Sequence, residues 1–240
     1  MGVETWTAAT KNVNQSASTE QTWYYDSLYL GANTDYGYVQ LSGNYANRLG
    51  FQGTQGKLEF DPKINSYLYF ELVAGYSEQE VLFPHYLVGG EGYVYIPHLF
   101  DVSLGETYRN LGATYLNTYT GSLSKSIQQY WFSFKPYYFV PSNDGPQSVL
   151  YTAKARRYFG SPDFYLELSG GMGHSPDLPD LLAAAFIKVK NNYVQVKLNL
   201  PLDEHRYVLS VGPQYEKLTY PSGTILTLWS GELDLSMRFN

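Results

Sequence analysis

His85, His98, His174 and His205 are the side chains best suited to proton or metal chemistry near neutral pH. None stands at the HxH or HxxxH spacing that places two imidazoles on one metal, so no metal site is expected. Gly89-Gly90 and Gly170-Gly171 precede no helix start and therefore do not read as phosphate loops. His174-Ser175, with Asp177 close behind, brings together the residue types of a nucleophilic triad. Neighbours on a loop rarely let the imidazole reach the hydroxyl, however, and Ser175 before Pro176 reads as turn chemistry. No catalytic residue is assigned and no cofactor is expected.

Charged residues at alternating positions are the larger resource. The acids are Glu59, Glu71, Glu91, Glu167, Glu232 and Asp234. The cations are Arg48, Lys57, Arg109, Lys135, Arg156, Arg206 and Arg238. Each lies on or near the polar side of a two-residue repeat. Tyr69, Tyr93 and Trp131 share that side, as does Tyr137, and aromatic faces beside charges suit sugar rings. The plainer expectation is a set of mutually paired ions lining a polar interior, since buried charges need partners. Lys57 and Glu59 are expected to join Glu71 and Glu91, with Arg48 or Arg109 supplying positive charge. The passage should then be narrow or blocked.

The elements that carry these residues are strands. Leu68, Phe70, Leu72 and Ala74 alternate with Tyr67, Tyr69, Glu71 and Val73. Ile225, Thr227, Trp229, Gly231, Leu233, Leu235, Met237 and Phe239 alternate with a mainly polar set. Successive strand side chains point to opposite faces, so each segment has one apolar and one polar face. The pattern predicts strands near 3–12, 22–33, 36–48, 53–61, 66–76, 87–96, 100–110, 114–124, 128–140, 147–159, 164–173, 186–200, 205–218 and 223–240. Their connections alternate short and long. Short periplasmic turns and longer outer loops are the habit of outer-membrane barrels, and here they put both termini on the periplasmic side. Segments of about ten residues suit a tilted strand crossing a bilayer.

Composition agrees. Charged residues make up 16% of the 240-residue chain and aromatics 17%, with 25 Tyr, whereas soluble domains carry about 25% charged residues. Tyrosine suits a half-wet interface better than a dry core. Tyr36, Tyr38, Phe100, Phe159, Phe164, Tyr207 and Phe239 are expected to form a periplasmic girdle. Tyr24, Tyr45, Tyr76, Tyr108, Tyr138 and Tyr215 are expected at the outer end. The longest apolar run, Leu181 to Ile187, has seven residues, far short of the ~20 a membrane helix needs. It reads either as a short helix folding over the mouth or as a continuation of the next strand. A net charge of −6 without a basic stripe argues against nucleic acid. The lack of cysteine fits an oxidising compartment. Met1-Gly2 leads straight into Val3-Glu4-Thr5-Trp6, which reads as a mature domain behind a new start codon. The expected architecture is one domain over 1–240, all-β: a transmembrane antiparallel up-and-down barrel of about fourteen strands, with twelve the alternative. Two places break the pattern. Glu106 falls on an apolar phase, which suggests a position nearer the rim. Lys188, Lys190 and Asn192 carry polar groups ahead of Val194, Val196 and Leu198, which calls for a bulge or a strand rising above the bilayer.

An ordered series of short motifs runs from about residue 44 to 177. It includes Asn47-Arg48-Leu49-Gly50, Asp61-Pro62-Lys63, Gly75-Tyr76-Ser77, Phe83-Pro84, Gly89-Gly90-Glu91 and Ser103-Leu104-Gly105 with Arg109 after it. Tyr119 to Leu123, Arg157-Tyr158-Phe159 and Gly171 to Asp177 follow. In order and spacing this series resembles the YaiO family of outer-membrane β-barrel proteins. The resemblance implies an outer-membrane barrel and a role in surface-polysaccharide export, as a pore or accessory component. It implies contact with outer-membrane lipid and lipopolysaccharide, with polysaccharide or a periplasmic helical-repeat protein as further partners. It carries no catalytic residue. Such barrels commonly end on an aromatic residue; here Phe239 is followed by Asn240. A hydrolase at the barrel rim acting on lipid or lipopolysaccharide, and a plugged structural or assembly component, are the alternatives.

Overall fold

The computed structural model describes residues 2–12, 21–48, 51–78, 82–112, 114–142, 145–176 and 187–238, apart from the side chains of 3–12 and 21. Among these residues fourteen strands form one closed antiparallel barrel, each paired with its neighbours in sequence, and β1 with β14. They are β1 (Gly2–Asn12), β2 (Gln21–Thr34), β3 (Gly37–Arg48), β4 (Phe51–Pro62), β5 (Leu68–Tyr76), β6 (Tyr86–Ile96) and β7 (Phe100–Asn110). The second half comprises β8 (Tyr115–Ile127), β9 (Tyr130–Pro141), β10 (Ser148–Tyr158), β11 (Tyr165–Pro176), β12 (Lys188–Leu202), β13 (Tyr207–Thr219) and β14 (Ile225–Met237). Closure satisfies every edge, which is what a sheet in lipid requires.

Fourteen strands, not twelve, are present, and the segment predicted at 114–124 extends to Ile127. The apolar phase faces outward: Leu28, Leu41, Leu58, Leu104, Leu123, Leu168, Leu233 and Leu235 are all exposed on the barrel exterior. Inverted exposure of this kind is lipid-facing surface, not a failed core. Tyr24, Tyr45, Tyr76 and Tyr138 are exposed near the outer strand ends, and Tyr36, Phe100 and Phe159 near the periplasmic ends. Tyr38 departs from its expected girdle place. It points inward, its hydroxyl donating to Gln40 Oε1 at 3.0 Å. Phe239 and all of the 181–187 run except Ile187 lie outside the described residues.

The irregular places resolve simply. β12 keeps one register with β11 from Tyr165↔Asn199 to Pro176↔Lys188, so no bulge interrupts it. Lys188, Lys190 and Asn192 face outward on the same side as Val194 and Val196, on the strand's outer end. Glu106 faces outward, directly opposite Tyr119 on β8.

The interior is layered. Toward the outer mouth two apolar clusters fill lumen-side positions. One joins Trp23, Val189, Leu218 and Leu228, and the other joins Leu111, Leu116 and Phe139. Most of the charged lumen residues lie below them, while Arg48 lies against Trp23. Alternation alone suggested a lumen polar throughout; these apolar residues occupy the polar phase because the strand ends pack against one another inside the mouth.

Candidate functional site: the lumen wall

The strands sort the inward charges by sign. Glu59 and Asp61 on β4, Glu71 on β5, Glu91 on β6 and Asp101 on β7 make an acidic arc. Lys57 shares it, 3.0 Å from Glu59 Oε1. Lys135 on β9, Lys154 and Arg156 on β10 and Lys197 on β12 make a basic arc, interrupted by Glu167 on β11. Glu232 and Asp234 on β14 follow. Lys57, Glu59, Glu71, Glu91 and Arg109 line one cavity of about 540 Å³, together with Tyr38, Gln40 and Gln55.

The ion pairs differ from those expected. Glu91 is buried and pairs not with Lys57, Arg48 or Arg109 but with Lys135, at 2.6 Å. This link passes over β7 and β8. Small residues make room for it: Ser103 donates to Glu91 and shares a 2.6 Å hydrogen bond with Ser122. A Cβ at Gly105 would stand 2.7 Å from that of Glu91. Lys197 likewise passes over β13 to pair with Glu232, which also accepts from Gln195 Nε2 at 2.8 Å. Gly212 leaves the space; a Cβ there would sit 2.4 Å from the Val196 carbonyl oxygen. Arg156 pairs with its cross-strand neighbour Glu167. Asp234 accepts from the Tyr29 hydroxyl at 2.9 Å. Long side chains thus lie flat along the wall on ledges of glycine and serine, and the pairs named here span no more than two intervening strands.

Glu71 is not the hub the sequence suggested. Its Oε2 accepts from the Tyr93 hydroxyl at 2.8 Å, and it is exposed to the lumen. Arg109 donates to Thr118 Oγ1 at 3.0 Å. Arg48 sits at the outer end of β3, its guanidinium 3.7 Å from the Trp23 ring centre. Arg206 is in the β12–β13 turn, beside the Tyr207 ring. Arg238, just past β14, grips Asp163 in the β10–β11 turn through two 2.7 Å hydrogen bonds. Arg206 and Arg238 therefore belong to the periplasmic rim rather than the lumen wall, because both lie beyond the last inward strand position.

Aromatic rings complete the wall. Tyr69 and Tyr93 stack with centroids 4.6 Å apart and planes 4° from parallel, and Tyr67 and Tyr95 stack below them toward the periplasmic mouth. The sequence could not announce this pairing, which depends on the β5–β6 register Tyr69↔Tyr93. On the basic arc Arg156 lies over the Trp131 and Tyr165 rings, at 4.9 and 4.6 Å. Tyr137 stacks with Phe139.

His174 and Ser175 are consecutive on β11, so their side chains leave on opposite faces, outward and inward. Asn191 donates to the Ser175 hydroxyl at 3.4 Å. That geometry does not assemble the dyad considered from the sequence, and Asp177 lies outside the described residues. Among the described residues no three His, Cys, Asp or Glu side chains gather where a metal could bind.

Comparison with known proteins agrees with this architecture. The model of the YaiO membrane beta barrel domain matches residues 9–178. No curated protein sequence matches significantly. Among solved structures, the barrel is similar to an outer membrane channel from Pseudomonas putida F1, at TM-score 0.58 and 9% identity over 99% of this chain and 94% of that one. It is also similar to a bacterial polysaccharide outer membrane secretin, at TM-score 0.53 and 10% identity over 99% and 98% of the two chains. An outer membrane protein from Acinetobacter baumannii gives TM-score 0.51 and 12% identity over 99% and 97%. At these identities the likeness is one of fold.

Proposed function

Because the chain belongs to the YaiO membrane β-barrel family, a family of the outer membrane, we propose that its lumen is a conduit for a hydroxyl-rich polymer, as part of surface-polysaccharide export. The observation that carries this reading is the wall itself. Flat tyrosine pairs on β5 and β6 stand among carboxylates, and an arc of cations with Trp131 and Tyr165 lies farther round the barrel. Stacked rings offer apolar faces to sugar rings, while acids, amides and guanidinium groups hydrogen-bond hydroxyls. Wall-hugging ion pairs favour a passage over a plug, since they neutralise charge without crossing the bore.

Planar-bilayer recording of the purified barrel tests this reading. Steady conductance, partly blocked by added acidic or neutral oligosaccharide and relieved in Tyr69→Ala/Tyr93→Ala, is the expected result. Absence of conductance would return the barrel to a structural or assembly role. The rim-hydrolase alternative predicts lipid hydrolysis that falls in Ser175→Ala and His174→Ala; the opposite orientation of those two side chains disfavours it.

A further inference from the structure

The outward face of the barrel carries a groove unrelated to the lumen. It runs over β8–β12 with a volume of about 590 Å³. Its floor is made of small residues held in register. Ala153 pairs with Phe134 on one side and Gly170 on the other, and Ala155 lies between Phe132 and Leu168. Leu and Phe side chains rise around Ala153, Ala155 and Gly170, so the exterior is notched there instead of smoothly covered. The groove starts at the level of Phe100, the first residue of β7, and reaches Gly170, five residues into β11 from Tyr165. Five residues of a tilted strand rise roughly 13 Å, close to half of the ~30 Å hydrocarbon core. The notch therefore has the depth of the periplasmic leaflet.

Its lower end is cationic. Lys125 lines the groove two residues before β8 ends. Arg157, the last but one residue of β10, stands exposed on the other side of β9. Arg157 lies over the Tyr130 and Phe159 rings. No carboxylate lines the groove, and among the described residues neither cation has an acidic partner. At a water–lipid boundary, two uncompensated cations at the mouth of an apolar slot of one leaflet's depth complement an anionic headgroup whose acyl chain runs up the slot.

We propose that this face binds an anionic glycerophospholipid of the periplasmic leaflet, its phosphate between Lys125 and Arg157 and an acyl chain over Ala153, Ala155 and Gly170. The inference does not depend on what passes through the lumen.

Native mass spectrometry of the delipidated full chain in detergent tests it. The protein is titrated with phosphatidylglycerol and phosphatidylcholine of matched chain length. Phosphatidylglycerol adducts should persist at about ten-fold lower lipid concentration, as two cations near an anionic lipid would give. Lys125→Gln/Arg157→Gln should abolish that preference, and Ala155→Trp, which fills the slot, should weaken retention of both lipids. Both variants change exterior positions, Lys125 and Arg157 exposed and Ala155 half-buried, and are checked for β-structure by circular dichroism. Equal retention of the two lipids by the unmodified barrel, or a preference that survives the double cation substitution, would overturn the proposal.

Discussion

Removing the Glu91 carboxylate leaves the Lys135 ammonium lying over the Ser103 and Ser122 ledge with no counter-charge. Glu91 is buried and Lys135 half-buried, so Glu91→Ala should cost about 3 kcal/mol in denaturant unfolding of the reconstituted barrel, in the range seen when one partner of a buried pair is lost. Glu71→Ala removes one hydrogen bond from Tyr93 in a wet setting and should cost no more than ~1 kcal/mol. Equal losses in the two variants would mean that the wall-hugging pair is not the stronger interaction. Alternation told which side each of these carboxylates faces, since period two is enforced by the pleat. It could not tell which cation each would meet. The Lys135–Glu91 contact passes over two strands, and its path is set by Gly105 and two serines that carry no charge signal.

At the scale of strands and turns, the rim contact between Asp163, Arg238 and His205 ties the β10–β11 turn to the β12–β13 turn and to the end of β14. His205 Nδ1 lies 3.2 Å from Asp163 Oδ2. Chiefly the hydrogen bonds from Arg238 hold the Asp163 carboxyl below the ordinary aspartate range. A depressed native value means that the unfolded chain takes up the proton first. The stabilisation is therefore complete above about pH 5 and is lost as pH falls through ~3.9 toward the lower native value. Arg238 is largely exposed, so Arg238→Ala should cost about 1 kcal/mol near neutral pH. The gap between thermal melts of the variant and the parent should narrow steadily as pH falls below ~3.9; a gap that does not narrow would assign the effect to packing of the arginine stem. The strands themselves were legible from sequence, because lipid on one side and polar wall on the other impose an unbroken two-residue repeat. Strand ends were less so. β8 reaches Ile127 through Lys125 and Ser126, where the membrane boundary relaxes the pattern.

For the whole molecule, the decisive property is the inversion of inside and outside. Spin labels at Leu72, Leu233 and Leu235 should report contact with lipid, and labels at Glu71 and Asp234 should report a polar environment; the opposite assignment would dismantle the barrel orientation. The outer mouth was the part that sequence reading missed. Trp23 on β2 meets Val189, Leu218 and Leu228 on β12 to β14, from the other end of the chain, and none of these segments alone breaks the alternation strongly enough to reveal a shared interior cluster. The closed ladder has a kinetic meaning as well. Thirteen of its fourteen seams join neighbouring strands, so their loop-closure cost is small and they can zip in succession. The seam from Gly2↔Ser236 to Asn12↔Leu226 joins the two ends of the chain. Closing so long a loop carries the largest entropic cost in the barrel and so should come last. Until then two unpaired edges face a medium that cannot hydrogen-bond them. A nascent barrel should therefore depend on something that shields those edges, and substitutions that weaken the β1–β14 seam should slow insertion far more than they lower the stability of the finished cylinder.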